Sequence, residues 1–263
     1  MLQDSTVEKN LRNEIKINMK ITHKYGKKEI SRDSKIEPNF LLTNKKGGYC
    51  LLSDLPKSRY EGVFFMQKNK MYKIIENIRP KGASEIKNII NNFYCIERKR
   101  KNIKEEFFMP YGYDALAYQH NSEYPIEITL DIRESYTNPE FGREHTISES
   151  KKFILIEYNY QNTKIFICIK GKDMKIKEIK EWFKRNYLQD KKRNSHPSEK
   201  YVFKALEITS KKIIIAFSFS KKKAIEQANH IFKNLITLKT KQKKDIEKIK
   251  IKEKKDKNET IAK

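Results

Sequence analysis

Residues 39–62 read NFLLTNKKGGYCLLSDLPKSRYEG, two short apolar runs on either side of a double glycine, closed by Ser58-Arg59-Tyr60-Glu61-Gly62. Runs of four residues rich in Leu, Thr and Tyr suit a pleated, half-buried surface, so each reads as a short strand. Gly47 and Gly48 lie between them, where glycine tolerates positive φ and lets another backbone or a ligand approach closely. Tyr49 and Tyr60 each offer a flat apolar face with a polar tip, and Arg59 offers a planar donor fork.

The same β pattern continues outward. Short apolar or alternating runs recur at 40–43, 49–53, 60–66, 71–76, 93–97, 106–109, 116–119 and 126–132, broken by Gly, Pro, Asn or Lys. Spacing of this kind predicts an antiparallel sandwich rather than βαβ units. Two hairpins are expected, 153–158 with 164–170 and 201–208 with 212–219, and between them a helix over about 175–188. Its Ile176, Ile179, Trp182, Phe183 and Tyr187 recur at helical spacing. Ser220 can cap a long amphipathic helix, with Ala224, Ile225, Ala228, Ile231, Phe232, Leu235 and Leu238 along one face. That face must cover either the domain's own sheet or a partner.

The expected architecture is therefore mainly β: a large antiparallel β-sandwich with one or two packed helices and a C-terminal linker helix. Residues 1–38 form a polar N-terminal segment or edge strand, 39–219 the sandwich, 220–252 the amphipathic linker helix and 253–263 a Lys-rich disordered tail.

The Leu-Thr-Asn, Gly-Gly-Tyr and Arg-Tyr-x-Gly series of 42–62 resembles the opening signature of the glycogen debranching enzyme family, the amylo-α-1,6-glucosidases, and looks closest to archaeal-type members. EFFMPY (106–111), LDIRESYTNPEFGREH (130–145) and EWFKRNY (181–187) extend the likeness over roughly 40–238. One departure is Glu61, where the family usually has His. The resemblance implies an N-terminal β-sandwich (supersandwich) domain that precedes an (α/α)6 barrel carrying the general acid and base, so catalytic residues are expected in this chain at none of its positions. It implies a separate barrel subunit as partner, for which the 220–238 helix and the 47–60 loop are the expected docking elements, glycogen-like α-glucan as substrate of the assembled glycoside hydrolase, and a part in carbohydrate metabolism through glycogen catabolism from a split gene.

Composition narrows the alternatives. The 263 residues carry 58 Lys and Arg against 34 Asp and Glu, a formal charge of +24. The charge is spread along the chain with no RNP-type, zinc-finger or helix-turn-helix pattern, so only nonspecific nucleic-acid binding is expected. No apolar run is long enough to span a membrane, and residues 1–20 lack the apolar region of a secretory leader, so the expectation is cytoplasmic. Cys50, Cys95 and Cys168 lie far apart in strand-like contexts and read as buried thiols. The five histidines lack metal-ligand spacing, and neither Gly47-Gly48 nor Gly171-Lys172 fits a nucleotide motif, so no metal or cofactor is expected.

Glycoside hydrolysis needs two carboxyl groups across the scissile bond. Glu105, Glu106, Asp131, Glu134, Glu140 and Glu144 are the acids to consider, with Arg133 and Arg143 near enough in sequence to neutralise them, and ion pairing is the expected state. Asn44, Gly47, Gly48, Tyr49, Arg59 and Tyr60 are the candidate carbohydrate or partner contacts, because aromatic faces stack on sugars while Arg and Asn bind hydroxyls. The same residues would alternatively shape a turn and fill the core. A stand-alone glucan-binding module, a basic nucleic-acid-binding protein and a decayed gene fragment are the other readings of the chain.

Overall fold

The computed structural model describes residues 19–35 and 39–248. Seventeen strands are present among them. In chain order they are β1 Met19–Tyr25, β2 Lys28–Ser34, β3 Phe40–Thr43, β4 Tyr49–Leu52, β5 Gly62–Gln67 and β6 Lys70–Pro80. Next come β7 Ile86–Asn91, β8 Ile96–Arg100, β9 Lys104–Phe108, β10 Ala115–His120, β11 Ile126–Glu134 and β12 Glu144–Glu149. The last are β13 Ile154–Tyr160, β14 Thr163–Gly171, β15 Lys175–Asn186, β16 Glu199–Thr209 and β17 Lys212–Ser218. A short helix, α1 (Leu188–Lys192), follows β15, and a long one, α2 (Lys221–Glu247), follows β17.

The strands form a ten-stranded sheet, β12-β13-β14-β17-β10-β9-β8-β7-β1-β2, and a seven-stranded sheet, β15-β16-β11-β6-β5-β4-β3. Every pairing is antiparallel except β1 with β7. Large two-sheet stacks work because alternation along each strand sends one row inward. Ile126, Ile128, Leu130 and Ile132 of β11 fill the space between the sheets, opposite Phe107, Leu116, Ile167 and Ile215. The mainly β sandwich with a C-terminal helix matches the sequence expectation, and β1 and β2 extend it into residues 19–34.

One charged clasp crosses this apolar core. Arg98, fully buried, donates to both oxygens of Glu105 at 2.8 and 2.6 Å and reaches the carbonyls of Ser53 and Ile78. Arg100 holds the same carboxylate at 2.7 Å and Asp54 at 2.5 Å, and Tyr118 donates to Glu105 at 3.0 Å. The Arg98 and Arg100 guanidiniums hold the Glu105 carboxyl below its ordinary range against the opposing effect of burial. Because Ser53 and Ile78 belong to the other layer, the clasp fixes how the two sheets register.

Three expectations are corrected. Residues 175–186 form strand β15, not a helix; α1 supplies only the five residues that follow. A bulge between Glu178 and Glu181, with Lys180 at φ 56°, inserts one extra residue into the strand and resets its alternation. The half-buried Ile176, Ile179 and Phe183 therefore fall at spacings that imitate a helix. Second, β16 and β17 are not a hairpin. β16 pairs with β11 and β15, β17 with β10 and β14, so the chain crosses from one sheet to the other at Ser210. Both strands are buried on two faces, and such runs carry no alternation to say which sheet they join.

The third correction concerns α2. Ser220 caps it by accepting from the Lys223 amide at 3.4 Å. Ala224, Ala228, Ile231 and Leu235 are buried against Phe166, Cys168, Ile214 and Ala216 on the outer face of the ten-stranded sheet, with Ile225, Phe232 and Leu238 at the margin. The apolar stripe is thus used within the domain and is not free to dock a catalytic partner. Residues 249–252 of the expected helix and the tail at 253–263 lie outside the described residues. Among the described residues, no helix is long and apolar enough to cross a membrane. Cutting Ile231 back to alanine leaves a cavity under the helix, and chemical denaturation is expected to show a loss of about 2–5 kcal/mol.

Candidate functional site

The signature stretch folds into the far edge of the seven-stranded sheet and a cap over its outer face. Asn44, fully buried, is the hinge of the β3–β4 turn. Its Oδ1 accepts from the amides of Lys46 and Gly48 at 2.8 and 2.9 Å, and its Nδ2 donates to the Tyr113 carbonyl and Asp114 Oδ1 at 3.0 and 3.1 Å. Asp114 belongs to the other sheet's loop and also takes Lys46 Nζ at 2.8 Å. Gly47 adopts φ +86°, and a Cβ on Gly48 would lie 2.7 Å from Asn44 Nδ2 and 2.9 Å from the Phe64 carbonyl. The double glycine is required by this turn and by close packing. Asn44→Ala would strand the Gly48 and Lys46 amides, and unfolding in urea should show about 1–3 kcal/mol of lost stability.

Tyr49, Phe64, Lys73 and Arg133 are register partners across β4, β5, β6 and β11, so they form one row on the outer face. Tyr49 stacks on Phe64 with centroids 4.5 Å apart, and burial pushes its phenol up to about 12. Above the row runs 58–60. The Arg59 carbonyl accepts from both Lys73 Nζ at 3.1 Å and Arg133 at 3.0 Å. Asp190 of α1 receives the Arg59 amide at 2.8 Å and the Ser58 hydroxyl at 2.7 Å. The Arg59 guanidinium donates to the carbonyls of Ser195 and Pro197, at 3.1 and 3.0 Å, and to the Tyr60 hydroxyl at 3.1 Å. Glu61, at the family's His position, is buried and accepts from Ser53, Asn39 and the Lys57 amide; burial raises its carboxyl.

The structure therefore joins Tyr49, Arg59 and Tyr60 at one place, while Asn44, Gly47 and Gly48 work at the turn beyond it. The guanidinium and the Asn44 amide are occupied within the protein; Tyr60, with Arg59 lying 4.8 Å over its ring, is partly exposed at the edge of the cap.

The considered acids are distributed rather than convergent. Glu105 is inside the clasp, Glu106 holds Lys239 at 2.6 Å, and Glu134 holds Lys70 at 3.0 Å. Asp131 is fully buried, bound by Arg133 at 2.8 Å and near Lys73 at 3.4 Å and Arg143 at 3.5 Å. Arg133 and Lys73 keep its carboxyl far below the ordinary range against the cost of burial. Glu140 and Glu144 are exposed. The three thiols are buried and free, and burial pushes Cys95 and Cys168 up to about 12, which makes them inert. Among the described residues no three His, Cys, Asp or Glu side chains could jointly hold a metal ion.

A second feature was not legible beforehand. Beside the cap, the 135–143 loop and strands β15 and β16 enclose two adjoining clefts of about 380 and 300 Å³, which share Glu140 and Tyr201. Phe141 is 84% exposed, Tyr201 48% and Trp182 39%, so three aromatic rings stand at this corner. The Arg143 guanidinium lies 4.4 Å over Trp182 and donates to the Tyr201 carbonyl at 2.8 Å. His145 stacks on Phe203 at 4.3 Å, and burial, helped by Arg143, lowers its imidazole to about 3. Lys200, 9% exposed, lies at the base, and burial followed by the nearby Arg133 lowers its amine to about 7.

That lowering has a stability consequence. Between the ordinary lysine value of 10.5 and about 7, the unfolded chain holds a proton that the folded chain has released. Stability therefore rises with pH across this window, by at most about 1.4 kcal/mol per unit. Thermal unfolding from pH 7 to 10 should show this rise, and Lys200→Met should be more stable at pH 7 and lose that part of the slope.

No protein-family model and no curated protein matches this chain. Among solved structures, a bacterial glucoamylase complexed with acarbose is similar at a TM-score of 0.33 and 12% identity, over 84% of this chain. The chain spans 30% of that glucoamylase's length. A TM-score of 0.33 carries no argument about this chain's activity.

Proposed function

We propose that the chain is the N-terminal β-sandwich unit of a debranching-type α-glucosidase, acting as a non-catalytic subunit beside a separate (α/α)6 barrel that hydrolyses α-1,6-glucosidic linkages in α-glucan. The observation that carries this reading is the fate of the signature itself. Its Gly-Gly-Tyr and Arg-Tyr-x-Gly elements lie on one two-sheet antiparallel sandwich, where Asn44 ties the sheets together and Arg59 caps the outer face. Residues used in this way support a scaffold. The state of the acids supports it too: Asp131 and Glu105 are clamped by guanidiniums, and a glycosidase's general acid needs the opposite, a carboxyl raised toward neutrality.

With α2 committed to its own sheet, the docking surface proposed for the barrel is the edge formed by the cap and the neighbouring corner. The partly exposed Tyr60 and the exposed Phe141 and Tyr136 lie there. Purified chain mixed with branched α-glucan is expected to release no glucose, whereas co-expression with a debranching-type barrel lacking its own sandwich should yield a stable complex that does. Glucose release by the chain alone, or no complex in size-exclusion chromatography, would overturn the assignment.

The exposed aromatic corner favours a second reading, a stand-alone glucan-binding module. Aromatic faces at this exposure suit sugar C–H surfaces. Glucan affinity that is unchanged by a barrel partner, and lost in Trp182→Ala, would favour the module over the subunit.

A further inference from the structure

Six of the nine buried side-chain nitrogen and oxygen atoms that lack a hydrogen-bond partner among the described residues lie at the corner below the aromatic rings. They are Asp131 Oδ1, Arg143 Nε, both ring nitrogens of His145, the Tyr158 hydroxyl and Arg185 Nε. Native interiors leave few such groups, so their concentration points to a ligand or a function. Two of these side chains are arginines, with the Arg143 side chain only 3% exposed.

The charge balance is uneven in the same place. Lys73, Arg133, Arg143, Arg185 and Lys200 surround two carboxylates, Glu76 and Asp131. Glu76 is shared: Lys73 pairs with it, the Tyr187 hydroxyl donates to it at 3.2 Å, and Arg185 Nε stands 3.7 Å away, outside hydrogen-bonding distance. Asp131 is taken by Arg133, with Lys73 and Arg143 close. Lys200 has neither a hydrogen bond nor an ion pair among the described residues, although it is 9% exposed and lines the larger cleft.

Register sharpens the point. Arg185 of β15 and Lys200 of β16 are direct cross-strand partners. Like charges placed opposite each other repel, and partial burial removes the water that would screen them. The cleft's own acids do not relieve this: Glu199 is held by Lys184, and Glu140 is at the exposed rim. Trp182 and Tyr201 border the smaller cleft with Arg143, on the strand face opposite Arg185 and Lys200.

We propose that this corner is a binding site for a compact oxyanion of the phosphate type, held by Lys200 with its cross-strand partner Arg185 beside it and approached from the larger cleft, which Lys200 lines. Free phosphate and the phosphate monoester of a sugar share the recognised chemistry. In the second case the sugar ring would lie in the same cleft, along residues 196–198. The inference stands on this corner alone and does not depend on the debranching reading.

Calorimetric titration of the full chain at pH 7 tests it, with sulfate as a probe whose charge does not titrate, at constant ionic strength. The expected result is saturable binding at one site, weakened about tenfold or more in Lys200→Met, since charge-assisted bonds to an anion are the strong ones. Lys101→Met, at an exposed lysine outside both clefts, should bind within about threefold of the parent. Parallel titrations with inorganic phosphate and glucose 6-phosphate separate the sources. Tighter binding of the ester assigns the sugar phosphate, and equal binding assigns the free ion. Non-saturable heats, or sulfate binding equal in the parent and in Lys200→Met, would show only the diffuse attraction of a +24 chain and overturn the proposal.

Discussion

The carbonyl oxygen of Arg59 is the contact on which the outer half of the molecule depends. It accepts from Lys73 and from Arg133, two cations on neighbouring central strands that face away from the apolar core. An ammonium and a guanidinium cannot be left in a dry site without acceptors, because desolvation costs several kcal/mol for each ion. Backbone at 59 meets that demand only if it is held above the sheet. Asp190 does the holding through the Arg59 amide, and the Arg59 side chain ties the same backbone to residues 195 and 197. One loop, one short helix and two strands are thus bound by a single local need.

The same sheet face explains why the neighbouring corner is distinctive. Cations needed to seat the cap continue outward along β15 and β16, where the carboxylates run out. Asp131 satisfies Arg133 and leaves Arg185 and Lys200 facing each other. By contrast, the clasp of Arg98, Arg100 and Glu105 between the sheets is closed, with a hydroxyl from Tyr118 and the carbonyls of Ser53 and Ile78 from the opposite layer completing it. A closed network sets the register of the sandwich; an open one at its rim is where binding energy is available.

Much of the fold was readable because half-buried strands announce themselves. β3 matches its expected bounds, the 153–170 hairpin forms as expected, and β4, β10 and β11 differ from theirs only by a residue or two at an end. The failures have common causes. At β15 a bulge converted alternation into false helical spacing, and at β16 and β17 complete burial erased the signal that separates a hairpin from a sheet crossover. The site was partly legible. Asn44, Gly47, Gly48, Tyr49, Arg59 and Tyr60 were singled out by residue type, and all occupy demanding positions, yet their bonds run mostly inward. The Arg185–Lys200 pair was invisible beforehand, since it exists only through a register set after the bulge.

Amide hydrogen exchange at residues 59–62 tests most directly whether the signature acts as a locked cap. The Arg59 amide is bonded to a buried carboxylate and the Glu61 amide to the Ser58 carbonyl at 3.0 Å. Their protection should therefore match that of the β6 and β11 amides beneath them and fall together with Asp190→Ala. Exchange at the rate of an exposed loop, with the central strands still fully protected, would contradict the account.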